Sequence, residues 1–357
     1  MPRIILTGGG SAGHVTPNLA LIPELQQRGW EAAYIGTHSG IERQLIGDSI
    51  PYYPISAGKL RRYFDWKNFT DPFRVLKGVF DSLRILRRHR PDIIFSKGGF
   101  VSLPVAAAAR FLRIPVVLHE SDFTPGLANR LALPFATHLC VTFPETLEHL
   151  PPKSKASVTG NPIRRSLLNG DPTKARELCG FDQEKPVILV MGGSLGAAKI
   201  NEAVRACLPM LLAEFQIAHI CGKGNTQPEL AAHGYRQFEY VGRELPHLFA
   251  LADLAISRAG ANALFELLAL NKPHLLIPLS QSASRGDQVL NARSFARQGF
   301  SAVLEEEQLT GASLLSAVQE LWRNREQYRR AMSGMKLADA VTEIIGVIDA
   351  ISKNKGS

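Results

Sequence analysis

Arg3-Ile4-Ile5-Leu6-Thr7-Gly8-Gly9-Gly10-Ser11-Ala12-Gly13-His14 opens the chain with a short apolar strand that runs straight into a glycine turn. A G-x-G-x-x-G turn after a strand aims backbone N–H groups from a helix N-terminus at a diphosphate or a sugar. A nicotinamide dinucleotide site needs more than that turn. Its second strand should end in an acid for the ribose hydroxyls, whereas here Glu31 to Ile35 ends in Tyr34-Ile35-Gly36-Thr37-His38. The P-loop pattern G-x-x-x-x-G-K-[ST] occurs nowhere, which argues against an ordinary nucleotide triphosphatase.

Outward from the first turn, the unit of strand, turn and helix recurs. Ile93 to Ser96 leads to Lys97-Gly98-Gly99, and Val116 to His119 leads to Glu120-Ser121. After a connection around Pro151 to Pro162 the pattern restarts, with Val187 to Met191 entering Gly192-Gly193-Ser194-Leu195-Gly196. Ile217 to Cys221, Leu254 to Ser257 and His274 to Ile277 supply further strands. Such alternation predicts an α/β chain of two Rossmann-like domains, 1–161 and 162–337, facing each other across a cleft lined by the carboxyl ends of their strands. Length agrees, since 357 residues at roughly 150 per domain make two.

The composition, 45% hydrophobic and 20% charged, is that of a globular enzyme. Glycines follow the first strand too soon for a signal peptide, and the richest apolar run, Val101 to Leu112, is broken by Ser102, Pro104 and Arg110. Cys140, Cys179, Cys207 and Cys221 lie far apart without zinc spacing and read as reduced core thiols in the cytosol. The net charge of +9 is concentrated: Gly58 to Arg90 holds ten basic residues against three acidic ones. Leu60, Trp66, Phe69, Phe73, Leu76 and Phe80 interleave with them, a mixture suited to anionic lipid headgroups. In the helix expected after Pro72, helical spacing puts Leu76, Val79, Phe80, Leu83 and Leu86 on one face and Lys77, Arg84 and Arg88 on another. No nucleic-acid-binding module accompanies the patch.

Inverting sugar transfer needs a base for the acceptor hydroxyl and positive or dipolar groups for the departing diphosphate. His14, just after the first glycine turn, is the candidate base, and Glu120 or Asp122, beyond the strand Val116 to His119, can assist or replace it. Gly8, Gly9, Gly10 and Gly13 form one phosphate-type loop, and Gly192, Gly193 and Gly196 the other, where Ser194 can donate a hydroxyl. Ser257 to Ala263 forms a further strand-to-helix turn, and Glu266 in the helix behind it can accept hydrogen bonds from both hydroxyls of a ribose. Arg164 stands at the junction of the halves, within reach of a diphosphate. Without a D-x-D sequence no metal clamp is expected, and no cofactor; helix termini worth about 0.3–1 kcal/mol each when exposed must converge with Arg164 instead.

Seven stretches share the order and spacing of one family: GGGSAGHVTPNLALIPEL at 8–25, SKGGFVSLPVAAAA at 96–109, LHESDFTPGLANR at 118–130, TGNPIR at 159–164, VMGGSLGAAKIN at 190–201, SRAGANALFELL at 257–268 and SRGDQVLNA at 284–292. Through them nearly the whole chain resembles the MurG family, the bacterial transferases that make lipid II by adding N-acetylglucosamine to lipid I, undecaprenyl-diphospho-N-acetylmuramoyl-pentapeptide. The resemblance implies the GT-B type architecture, inversion to a β1,4 bond, and UDP-N-acetylglucosamine and lipid I as substrates. It implies that Glu266 binds the ribose, that Arg164, Ser194 and Ala261, Asn262 and Ala263 hold the diphosphate, that the backbone of Val241 reads uracil and that Gln288 contacts the sugar. Ser11, His14, Glu120 and Asp122 would face the acceptor, with Ser11, Ala12 and Gly13 also carried over as donor contacts. The basic, apolar segment would dock on an anionic membrane at its cytoplasmic face through Arg61, Arg62, Trp66, Phe73, Lys77, Phe80, Arg84, Arg87 and Arg88. A last helix, within about 338–357, would cross back to the first domain, and other cell-wall synthesis proteins would be partners. Asp287-Gln288 stands where a glutamine pair is common, Ala263 where a hydroxyl residue is, and Glu120-Ser121-Asp122 where Glu-Gln-Asn is frequent. Rival readings are a related transferase acting on diacylglycerol, a UDP-N-acetylglucosamine epimerase and a non-catalytic UDP-sugar binder. LHESDFTPGLANR speaks against the first and the basic segment against the second.

Overall fold

The computed structural model describes residues 1–58, 71–193, 196–280, 286–335 and 339–353. The chain folds as two compact units, Met1–Arg164 with Ala338–Ser357, and Arg165–Leu337.

The first unit runs β1 (Arg3–Thr7), α1 (Thr16–Gln27), β2 (Glu31–Thr37), α2 (Ile41–Ile46), β3 (Tyr52–Ile55), α3 (Asp71–His89), β4 (Ile93–Ser96), α4 (Ser102–Phe111), β5 (Val116–Glu120), α5 (Leu127–Ala132), β6 (His138–Val141) and β7 (Ala156–Val158). Among the described residues its strands form one parallel sheet in the order β3-β2-β1-β4-β5-β6-β7. β4 and β5 are buried along their whole length and β1 from Ile4 onward, as parallel strands covered on both faces must be, which is why they read as continuous Ile, Val, Leu and Phe runs.

The second unit continues with α6 (Pro172–Cys179), β8 (Val187–Met191), α7 (Ala198–Ala206), α8 (Leu208–Glu214), β9 (Gln216–Ile220), β10 (Tyr235–Phe238), α9 (Leu245–Leu251), β11 (Leu254–Ser257), α10 (Ala261–Ala269), β12 (His274–Leu276), α11 (Asp287–Arg297), β13 (Ala302–Val303), α12 (Gly311–Arg323) and α13 (Arg325–Gly334). Its parallel sheet has the order β10-β9-β8-β11-β12-β13. In both sheets the order reverses beside the first strand, at β1/β4 and at β8/β11. A crevice opens at the carboxyl ends of the strands flanking such a reversal, and ligands of doubly wound sheets bind there.

A last helix, α14 (Ala340–Lys353), belongs to the first unit. Val341, Ile344, Ile345 and Ile348 join Ile22, Leu25 and Trp30 in its core, and the Trp30 indole donates to Asp349 at 3.1 Å. Each of these aliphatic side chains contributes about 1.5–3 kcal/mol when fully buried.

α3 departs from the face expected of it. Gly78, Ser82 and Leu86, one turn apart, are buried, with Val79 and Leu83 half-buried beside them, while Phe73 (73% exposed), Leu76 and Phe80 (70%) point to solvent. Small residues decide this. A β-carbon on Gly78 would lie 2.1 Å from the Ser56 carbonyl oxygen, so the backbone approaches there and carries the larger residues of the opposite face outward. Among the described residues no helix is long and apolar enough to cross a membrane. All four cysteines are free thiols, and burial pushes Cys140 up to about 12 and Cys179 and Cys207 up to about 11.

Candidate functional site

In the first unit the turn after β1 and the turn after β4 flank the sheet reversal and press against each other. A β-carbon on Gly99, whose φ is +80°, would lie 2.1 Å from the Gly9 carbonyl oxygen, so only glycine permits this approach. Ser11 and His14 stand on a single 3-10 turn, Ala12–His14, between the glycines and α1. Ser11 is exposed and His14 half-buried, with Ser11 Oγ 3.0 Å from His14 Nδ1. If Nδ1 carries the proton and donates to Ser11, Nε2 presents the lone pair that a base requires. Gly10 gives its amide to the fully buried Glu42 at 3.3 Å, and the Thr37 amide reaches the same carboxylate at 3.0 Å. That amide is directed at a carboxylate and away from a phosphate. Glu42, inside α2, carried no signal in the sequence because its partners come from the loop after β1 and from the end of β2.

Glu120 ends β5 as a buried carboxylate. It accepts from the Asp122 amide at 3.0 Å, the Gly126 amide at 2.8 Å and Asn129 Nδ2 at 2.8 Å. Three donors tie it to the shape of the segment 120–129. Asp122, half-buried, follows on that loop. His119 Nε2 lies 2.9 Å from the Gly160 carbonyl oxygen, which fixes the proton on Nε2, and burial holds the ring well below its usual pKa. Arg164, half-buried, closes the first unit.

In the second unit, the turn after β8 keeps Gly192, Gly193 and Gly196; Ser194 lies outside the described residues. Gly196 has φ +79° and a β-carbon there would meet the Cys221 carbonyl oxygen at 2.2 Å. Across the sheet reversal, α10 starts after Gly260 with no side-chain cap. The N–H groups of its first turn, at Ala261, Asn262 and Ala263, point out of the helix start with the positive end of the dipole. Glu266, 8% exposed, lies one turn beyond Asn262 on the same side of the helix. Arg258, in the turn before α10, points elsewhere: it binds the buried Glu306, which also takes Lys199 at 3.3 Å, and it donates to the Ile277 carbonyl at 3.1 Å. That network holds the β11 and β12 turns in place and went unnoticed in the sequence, where its members are separated by 48 and 107 residues.

Gln288, in the first turn of α11, accepts the Leu279 amide at 3.0 Å, which orients its side-chain amide. Val241 is buried beyond β10, and among the described residues nothing bonds to its backbone N–H or C=O. Of the membrane-facing candidates, Arg61, Arg62 and Trp66 lie outside the described residues. Phe73, Lys77, Phe80, Arg84, Arg87 and Arg88 are all exposed on α3.

The glycosyltransferase family 28 N-terminal domain matches residues 4–141, and the C-terminal domain of the same family matches residues 187–344. A UDP-N-acetylglucosamine–N-acetylmuramyl-(pentapeptide) pyrophosphoryl-undecaprenol N-acetylglucosamine transferase of Geobacillus thermodenitrificans is 56% identical over 97% of this chain and 98% of its own. One of the same name from Clostridium perfringens is 57% identical over 97% of each chain. The crystal structure of Acinetobacter baumannii MurG superposes with a TM-score of 0.73 at 27% identity, covering 99% of this chain and 100% of that one. A UDP-GlcNAc 2-epimerase from Neisseria meningitidis, at 14% identity and TM-score 0.68, shares the fold alone.

Proposed function

The chain belongs to glycosyltransferase family 28, and from that premise we infer that it transfers N-acetylglucosamine from UDP-N-acetylglucosamine to the C4 hydroxyl of the muramoyl sugar in lipid I, forming lipid II with inversion. The observation that carries this is 56–57% identity to transferases of that name along 97% of the chain. In this reading the second unit holds the donor. The amides at the N-terminus of α10, with the positive end of its dipole, receive the diphosphate, Glu266 the ribose hydroxyls, Val241 the uracil edge and Gln288 the sugar hydroxyls. As the glycosidic bond to the diphosphate breaks, charge gathers on the leaving oxygens, and dipoles already aimed at them need no reorganisation. The first unit supplies the base. His14 Nε2 takes the acceptor proton while Ser11 fixes the tautomer through Nδ1.

The exposed stripe Phe73, Leu76 and Phe80 on α3, with Lys77, Arg84, Arg87 and Arg88 around it, suits an anionic membrane surface, and it supports docking at the cytoplasmic face, where the lipid acceptor of this reading is embedded. The test is transfer of labelled N-acetylglucosamine to a short-chain lipid I analogue, with diacylglycerol and acceptor-free controls. A disaccharide-lipid product that requires lipid I is the expected outcome. UDP release with diacylglycerol, or epimerisation without acceptor, would overturn the acceptor assignment.

A further inference from the structure

Lys97 is 2% exposed, an uncommon place for an ammonium group, and no step of the transfer just described uses it. It follows β4 at the sheet reversal, and its surroundings connect the two turns that carry the acceptor-side residues. On one side its amide donates to the Thr7 carbonyl at 2.9 Å, and its β-carbon lies 3.2 Å from where a β-carbon on Gly8 would be. The loop leading to His14 therefore rests on its stem. On the other side Lys97 Nζ donates to Ser121 Oγ, and Ser121 Oγ donates to Asn161 Oδ1 at 2.9 Å. Ser121 is the residue between Glu120 and Asp122, and both carboxylates act on the ammonium, opposing the push that burial gives it.

Burial disfavours this ammonium more than Glu120 and Asp122 favour it, so it costs stability that a neutral side chain of the same length would not. The charge is thus a stability liability unless it acts elsewhere. We propose that Lys97 is a positioning residue for the transfer: through Ser121 it sets the Glu120–Asp122 turn in register with the glycine loop that bears His14. This rests on the first unit being the acceptor side. Lys97 need not touch the substrate. Its effect is on the geometry of the groups that do, where misplacement by about 1 Å costs as much as a hundredfold in rate.

The test compares the full-length enzyme with Lys97→Met, Lys97→Arg, Ser121→Ala and the Lys97→Met/Ser121→Ala pair. It measures kcat, KM for UDP-N-acetylglucosamine and for the lipid I analogue, and thermal melting. Lys97→Met should melt no lower than the parent and lose about tenfold or more in kcat, with KM for UDP-N-acetylglucosamine within about twofold. Lys97→Arg should recover part of kcat. Ser121→Ala should show the same kind of loss, and the pair should be no worse than Lys97→Met alone, because both substitutions break one connection. Full activity in Lys97→Met, a loss that follows a lowered melting point or an insoluble protein, or losses that multiply in the pair would each overturn the proposal. A parent enzyme that leaves the lipid I analogue unmodified would remove the functional reading together with this one. An active parent with a fully active Lys97→Met would remove this one alone.

Discussion

At neutral pH the folded chain keeps Lys97 protonated in a site that pushes its ammonium down to about 8 through burial, against the pull of Glu120 and Asp122. An unfolded lysine titrates near about 10.4, so between those values the unfolded chain holds a proton that the folded chain has released. Stability therefore rises with pH across that window, and the penalty below it is about 3 kcal/mol by linkage. Lys97→Met removes this dependence. Denaturant unfolding of parent and variant at pH 7.5 and pH 10 should show the variant's advantage shrinking at the higher pH, since groups common to both cancel. An advantage that grew with pH would contradict the burial of a charged lysine. The donor and acceptor residues separate by a different measurement. Glu266→Ala removes two charge-assisted hydrogen bonds worth about 1.5–3 kcal/mol each, so UDP affinity measured by calorimetry should fall by about 10²–10⁴. His14→Ala should lower turnover by about 10²–10⁴ and leave UDP affinity nearly unchanged. Loss of UDP affinity in that variant would remove His14 from the acceptor side. The glycine turns after β1 and β8, and the places of His14 and Glu266 next to strand-to-helix turns, were legible in the sequence because a turn that must follow a strand confines its residue types locally. Glu42, Lys97 with Ser121, and Arg258 with Glu306 were not, since each acts through a partner on another strand or loop.

Helix α3 shows what periodicity sees and what it misses. Apolar spacing predicted the element, yet apolar side chains cover more than half of its circumference, so hydrophobicity alone could not select the packed face. Gly78 and Ser82 selected it, through close approach to Ser56 and to α4, and small residues barely register on a scale of apolarity. Gly78→Ala should therefore destabilise the first unit by about 1–3 kcal/mol, the cost of overpacking, although alanine is the better helix former. An unchanged melting temperature would mean that the β3 side yields. Phe73→Ser with Phe80→Ser makes the converse case. Those rings are exposed, so the melting temperature should hold, while sedimentation with vesicles containing anionic lipid should fall severalfold. Added salt should weaken the remaining binding, because what is left is the attraction of Lys77, Arg84, Arg87 and Arg88 for the headgroups. Equal vesicle binding by parent and double variant would move the docking surface off this helix.

Across the whole molecule the two sheets share one winding order, with the reversal beside β1 in the first and beside β8 in the second. That much follows from alternating strands and helices, because right-handed crossovers and a two-way spread from the first strand leave few other parallel arrangements. The destination of α14 does not follow from any pattern. Ile344, Ile345 and Ile348 announce a buried face, but a helix at the chain end finds its partner by shape, and here α1 offers Ile22 and Leu25 while Asp349 meets Trp30 and Arg28. The first unit thus depends on residues more than 300 positions downstream of its first strand. Ile344→Ala should leave a cavity in that core and cost about 2–5 kcal/mol. Because the second unit closes its own core without α14, UDP affinity in the intact variant should stay within about twofold of the parent below the first melting transition. Calorimetric melting with and without UDP checks this. The lower transition should fall in Ile344→Ala and be insensitive to UDP, while the transition that UDP raises should hold its position. A single transition that shifts with both the substitution and UDP would show that the two units unfold together, and the donor site would then owe part of its stability to the far end of the chain.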